Sequence, residues 1–83
     1  MAGTLKVSVI SPEATLFEGE APSVVAPAFD GEVGILPMHA PMVTTLGSGV
    51  LRVGSDTCFR VEGGFLQVVD DVVRVVTEKA AKL

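Results

Sequence analysis

Val50-Leu51-Arg52-Val53-Gly54-Ser55-Asp56-Thr57-Cys58-Phe59-Arg60-Val61-Glu62-Gly63-Gly64-Phe65-Leu66-Gln67-Val68-Val69-Asp70-Asp71-Val72-Val73-Arg74-Val75-Val76 is the stretch that decides the fold. It reads as two successive hairpins. Gly54-Ser55-Asp56 has the composition of a three-residue hairpin loop, which pairs Val53 with Thr57, Arg52 with Cys58 and Leu51 with Phe59. Side chains alternate across a strand, so this register puts Leu51, Val53, Phe59 and Val61 on a core face and Arg52, Cys58, Arg60 and Glu62 on the other. Asp70-Asp71 reads as a two-residue turn, because aspartate tolerates positive φ better than most side chains. Pairing Val69 with Val72 aligns Val68 with Val73, Gln67 with Arg74 and Leu66 with Val75. Leu66, Val68, Val73 and Val75 then form a second core face. The opposite face carries Phe65, Val69, Val72 and Val76 around the Gln67–Arg74 pair, and an apolar patch of that kind marks a partner surface unless an N-terminal strand or the tail covers it. Gly63-Gly64 between the hairpins marks a bulge or bend where a strand passes from one sheet to the other.

Working outward, Leu5, Val7 and Val9 alternate with Lys6 and Ser8, the pattern of a half-buried strand. Pro12-Glu13 turns the chain, and Ala14 to Phe17 is a short strand ending at Gly19. Ser23 to Ala26 continues as a strand up to Pro27. Val33 to Leu36 and Met42 to Leu46 are two more strands, flanking a loop bounded by Pro37 and Pro41. Neither proline can donate a ladder hydrogen bond, so the loop must leave the sheet. About nine short strands with frequent turns predict an all-β chain folded as a β-sandwich. Only Glu78-Lys79-Ala80-Ala81-Lys82-Leu83 reads as helical, and it is too short to be a stable helix alone. At 83 residues the chain is expected to form one domain, residues 1–83, with 78–83 as a short tail.

Net charge −4 and six scattered basic residues, with neither Trp nor Tyr for base stacking, argue against nucleic acid or an anionic lipid surface as partner. No apolar run approaches the roughly 20 residues of a membrane span, so no direct membrane insertion is expected. The N-terminal residues lack a signal-peptide pattern. The single cysteine, Cys58, excludes an internal disulfide framework and has no neighbouring histidine to activate it.

Chemistry is sparse. His39, the only histidine, sits in the proline-bounded loop, with no spacing that supplies a nucleophile or an orienting carboxylate. One His and one Cys are too few for a metal site. The nine glycines form no phosphate-cradling loop, so neither a cofactor nor a small-molecule substrate is expected. Asp30-Gly31-Glu32 supplies a turn with two carboxylates, placed at the opposite end of a strand from the His39 loop unless Gly34 bends that strand. Met38 and Met42 flank the loop, and methionine suits adaptable contact surfaces. No enzyme is predicted.

Asp30-Gly31-Glu32-Val33-Gly34-Ile35-Leu36-Pro37, followed by His39-Ala40-Pro41, resembles the signature of the ATP synthase epsilon subunit family. The opening Leu5-Lys6-Val7-Ser8-Val9-Ile10-Ser11-Pro12-Glu13, the Phe17-Glu18-Gly19-Glu20 segment and Gly49-Val50-Leu51-Arg52-Val53 agree, and Glu62-Gly63-Gly64-Phe65-Leu66-Gln67-Val68 resembles that family's second signature. Met38 departs from it, standing where the family usually has glycine. The resemblance implies two antiparallel sheets of about five strands each, and a non-catalytic rotor component that binds the gamma subunit and sits on the c ring. Its place would be peripheral, on the cytoplasmic face of an energy-transducing bacterial plasma membrane. By position, Asp30, Glu32, Met38 and His39 are the expected c-ring contacts. Met42 and Thr44 are expected at gamma, which is also the natural occupant of the Phe65, Val69, Val72 and Val76 face. Longer members continue into a helical hairpin that carries nucleotide binding and inhibition, so neither is expected of these residues. The alternative is a small all-β carrier domain of biotinyl or lipoyl type. It requires a lysine at a hairpin tip, whereas Lys6 falls in a strand and Lys79 and Lys82 in the tail.

Overall fold

Thirteen residues of unbroken strand, Thr57–Val69, would run about 40 Å if straight, yet the longest dimension of the molecule is 35 Å. The strand must therefore bend, and the fold is built on that bend. In a computed structural model describing residues 3–83, eight strands form one continuous sheet: β1 (Leu5–Ile10), β2 (Thr15–Ala21), β3 (Val24–Ala28), β4 (Gly31–Ile35), β5 (Met42–Thr45), β6 (Ser48–Val53), β7 (Thr57–Val69) and β8 (Val72–Lys82). The strand order is β2-β1-β8-β7-β6-β3-β4, with β5 also paired to β7. β7 pairs with β6 over Thr57–Glu62 and with β5 over Phe65–Val68. The sheet thereby folds onto itself as two layers of five strands, one β2-β1-β8-β7-β5 and the other β8-β7-β6-β3-β4, with β7 and β8 passing through both. Eight strands rather than nine result because 57–62 and 65–69 are halves of one strand.

Both hairpin registers match the sequence expectation. Val53 faces Thr57 and Leu51 faces Phe59, while Val69 faces Val72 and Leu66 faces Val75. Asp70 and Asp71 close the second hairpin at φ 51° and 62°. The core is the set so predicted together with β1 and β3: Leu5, Val7 and Val9, Val24 and Ala26, Leu51, Val53, Phe59 and Val61, and Leu66, Val68, Val73 and Val75 are all buried.

At Gly63-Gly64 the chain bends without inserting a residue. Glu62 still faces Lys79 and Gly64 faces Thr77. The inward positions nevertheless switch from Phe59 and Val61 to Leu66 and Val68, which the positive φ values of both glycines (71° and 105°) allow. A Cβ on Gly64 would lie 1.9 Å from the Val76 carbonyl oxygen, so no side chain fits. On β8 the buried Thr77 hydroxyl donates to the Lys79 carbonyl at 2.8 Å and lies 3.4 Å from that of Glu62. The link from β5 to β6 crosses at the same level, where the Leu46 amide donates to the Gly64 carbonyl at 2.9 Å.

Several local expectations are corrected. Glu78–Lys82 is strand, not helix: Lys79 and Lys82 pair with Glu62 and Phe59, and Ala80 packs on the core. A backbone ladder along Phe59–Glu62 of β7 outweighs the weak helix preference of six residues. β2 runs through Gly19 to Ala21 because β1 pairs with it along that length. β4 is unbroken at Gly34, which lies in register opposite Val25. β1 lies beside β8, in parallel, and so extends that layer instead of covering its outer face.

Candidate functional site

Pro37 and Pro41 confine the His39 loop as expected: β4 ends at Ile35 and β5 begins at Met42. Within it the His39 amide donates to the Leu36 carbonyl at 3.2 Å. Proline at the second position and Met38 at φ 69° at the third give the pattern of a type II turn. The Met38 amide donates to Asp71 Oδ1 at 2.6 Å, which docks the loop on the β7–β8 turn. His39 Nδ1 donates to the Ala40 carbonyl at 2.7 Å in the matching tautomer, leaving Nε2 available. Met38 projects almost entirely into solvent, 90% exposed. Beside it a shallow depression of about 380 Å³ is lined by Met38, His39, Pro41, Asp70 and Asp71.

Asp30 and Glu32 are elsewhere. Asp30 occupies the two-residue turn between β3 and β4, and Glu32 follows on β4 opposite Pro27; both are exposed. The Phe29 amide donates to the Thr45 carbonyl at 3.2 Å, so this turn sits at the far end of β5 from His39. The five extended residues of β4 alone span about 13 Å between them. The sequence-predicted ring contacts therefore form two clusters. Phe29, 74% exposed beside Asp30, was missed by the sequence argument; a lone Phe before a turn carries no periodic signal.

The leftover face of the second hairpin is real. Phe65, Val69 and Val72 are about 40% exposed and Val76 is half-buried, on the outer side of the first layer. Met42 and Thr44 do not join them. They stand opposite the buried Val68 and Leu66, and so face inward. Val43, opposite Gln67, shares the outer face and is 69% exposed. The patch is thus Val43, Phe65, Val69, Val72 and Val76 around Gln67 and Arg74.

Among the described residues no group of three or more His, Cys, Asp or Glu could hold a metal ion. Lys6 lies within β1, and Lys79 and Lys82 within β8, so none occupies a hairpin tip as a carrier domain needs. No helix among the described residues is long and apolar enough to cross a membrane.

Residues 4–83 match the model of a family described as the ATP synthase delta/epsilon chain, beta-sandwich domain. The chain belongs to this ATP synthase delta/epsilon family. It is 48% identical over 83 residues to the ATP synthase epsilon chain of Leptospira borgpetersenii, covering 96% of this chain and 65% of that one. With the Exiguobacterium epsilon chain it shares 42% over 81 residues, covering 93% and 60%. The chain thus spans under two thirds of the length of these epsilon relatives. Two solved structures share the delta/epsilon fold. A chain of the Euglena gracilis mitochondrial ATP synthase (OSCP/F1/c-ring) superposes with a TM-score of 0.87 at 22% identity over 95% of this chain and 53% of its own. A chain of the Tetrahymena thermophila central stalk and c-ring gives 0.80 at 16% identity over 95% and 66%.

Proposed function

We propose that this domain is a non-catalytic rotor element of an ATP synthase, bound to gamma and seated on the c ring, which helps couple proton flow to ATP synthesis. The observation that carries it is the apolar outer face of Val43, Phe65, Val69, Val72 and Val76 on an epsilon-type domain. An acidic chain exposes these side chains where its own core cannot use them, as a partner surface does. Gamma is the occupant proposed for that face. The c ring is proposed to meet the Met38–His39 loop and the Phe29–Asp30–Glu32 end. The place that follows is peripheral, at the cytoplasmic face of a bacterial plasma membrane.

Binding of the full chain to purified gamma and to the solubilised c ring, measured separately, tests this. Val72→Asp is expected to weaken gamma binding more than tenfold, about 1.4 kcal/mol, while the chain stays folded. Glu32→Ala combined with His39→Ala is expected to weaken the ring contact with a melting curve almost unchanged, within about 0.5 kcal/mol for surface sites. A folded Val72→Asp chain that binds gamma at full strength would remove gamma from this face.

A further inference from the structure

Among the described residues three non-glycine positions have positive φ: Met38 at 69°, Asp70 at 51° and Asp71 at 62°. The two aspartates are ordinary in that region, since short polar side chains tolerate it. Met38 is not. Glycine or asparagine would hold the same turn with less strain, and a methionine that is 90% exposed gains no burial within the chain. Its backbone is therefore disfavoured and its side chain unused by the fold.

Beyond the Leu36–His39 bond that closes the turn, one side-chain acceptor from another loop holds it. Asp71 Oδ1 takes the Met38 amide at 2.6 Å across 33 positions of sequence. Asp71 is itself fixed by its backbone, because its carbonyl accepts the Lys6 amide at 2.8 Å and its φ closes the β7–β8 turn. One residue thus ties the first strand, the last hairpin and the His39 loop together. A charged acceptor on a backbone amide is among the stronger hydrogen bonds.

We propose that Asp71 is a positioning residue that locks Met38 in its left-handed turn, so that the Met38 side chain is presented at the loop tip as a specificity-determining contact to the c ring. This rests on the ring-facing assignment of the loop and deepens it. The ring surface opposite must then offer an apolar depression beside its polar groups, which an unbranched, polarisable thioether can enter.

The test uses the full chain. Asp71→Gly removes the carboxylate while keeping a residue suited to φ 62°, so the hairpin survives. Asp71→Asn keeps the Oδ1 acceptor. Expected results are a tenfold or greater rise in Met38 amide hydrogen exchange in Asp71→Gly, a fivefold or greater weakening of c-ring binding, and recovery of most of both in Asp71→Asn. Met38→Gly should weaken ring binding to a similar degree with no loss of thermal stability, and Met38→Leu should retain more of it. Adding Asp71→Gly to Met38→Gly should then change ring binding little. Unchanged Met38 exchange in Asp71→Gly overturns the clamp. Full ring binding by Met38→Gly while His39→Ala still weakens it overturns the role of Met38 and leaves the loop assignment standing. Full ring binding by all of these variants, His39→Ala included, overturns both.

Discussion

Gly64→Ala is the substitution that the bend predicts to be least tolerated. Gly64 has φ 105°, and a Cβ there would stand 1.9 Å from the Val76 carbonyl oxygen and 2.7 Å from the Thr77 Cα. Both are backbone atoms of the strand paired to it, so no rotamer change clears the contact. Holding a non-glycine residue in that region costs about 1–3 kcal/mol. Spreading β7 from β8 to make room costs about 1–3 kcal/mol more, the usual range for overpacking. A total of about 2–6 kcal/mol compares with about 4–12 kcal/mol for the whole stability of a chain this long. Far-UV circular dichroism in urea is the assay, because the chain has neither Trp nor Tyr to report by fluorescence. At about 1 kcal/mol per molar urea, the midpoint should fall by about 2 M or more, or folding should be lost. Gly34→Ala is the control. Nothing lies within 4 Å of a Cβ there, so its midpoint should stay level or rise. A Gly64→Ala chain within about 0.5 kcal/mol of the parent would show that β7 and β8 do not cross the corner at this separation.

Thr77→Val should cost about 1 kcal/mol in the same assay, since it strips the Lys79 carbonyl of its buried hydroxyl donor at the corner. Val43→Asp should leave the urea midpoint nearly unchanged but weaken gamma binding tenfold or more, whereas Met42→Asp should unfold the chain, because Met42 packs against the core. Isothermal calorimetry with ATP should detect no micromolar binding, since no phosphate-cradling sequence is present; a clear micromolar isotherm would contradict this.

Much of this architecture was legible because hairpins are local. The loop lengths at Gly54-Ser55-Asp56 and Asp70-Asp71 fix register, and alternation then assigns Leu51, Phe59, Leu66 and Val73 to the interior without further information. The features that escaped are non-local. The parallel pairing of β1 with β8 joins residues more than 60 positions apart and leaves no turn between them. The strand at 79–82 exists only because Phe59–Glu62 is waiting for it. Inward-facing Met42 and outward-facing Val43 differ by one position, and a four-residue strand of Met-Val-Thr-Thr has no alternation of polarity to tell its faces apart. The site residues divide the same way. His39 and Glu32 stand out by type and by turn chemistry, whereas the Met38–Asp71 contact spans two loops whose meeting only the fold decides.

That contact also bears on how the proposed rotor element would pass rotation on. Asp71 holds the loop proposed to meet the c ring, and Val72, the next residue, belongs to the face proposed to meet gamma. The two contacts are therefore joined through one turn. Asp71→Gly should then leave gamma attached and ATP hydrolysis running while the ring contact slips. The measurement is ATP-driven proton uptake relative to ATP hydrolysis in vesicles carrying the reconstituted enzyme. A lowered ratio is expected, restored by Asp71→Asn. An unchanged ratio in a variant whose isolated ring binding is weakened would show that torque reaches the ring by a route that bypasses this hairpin.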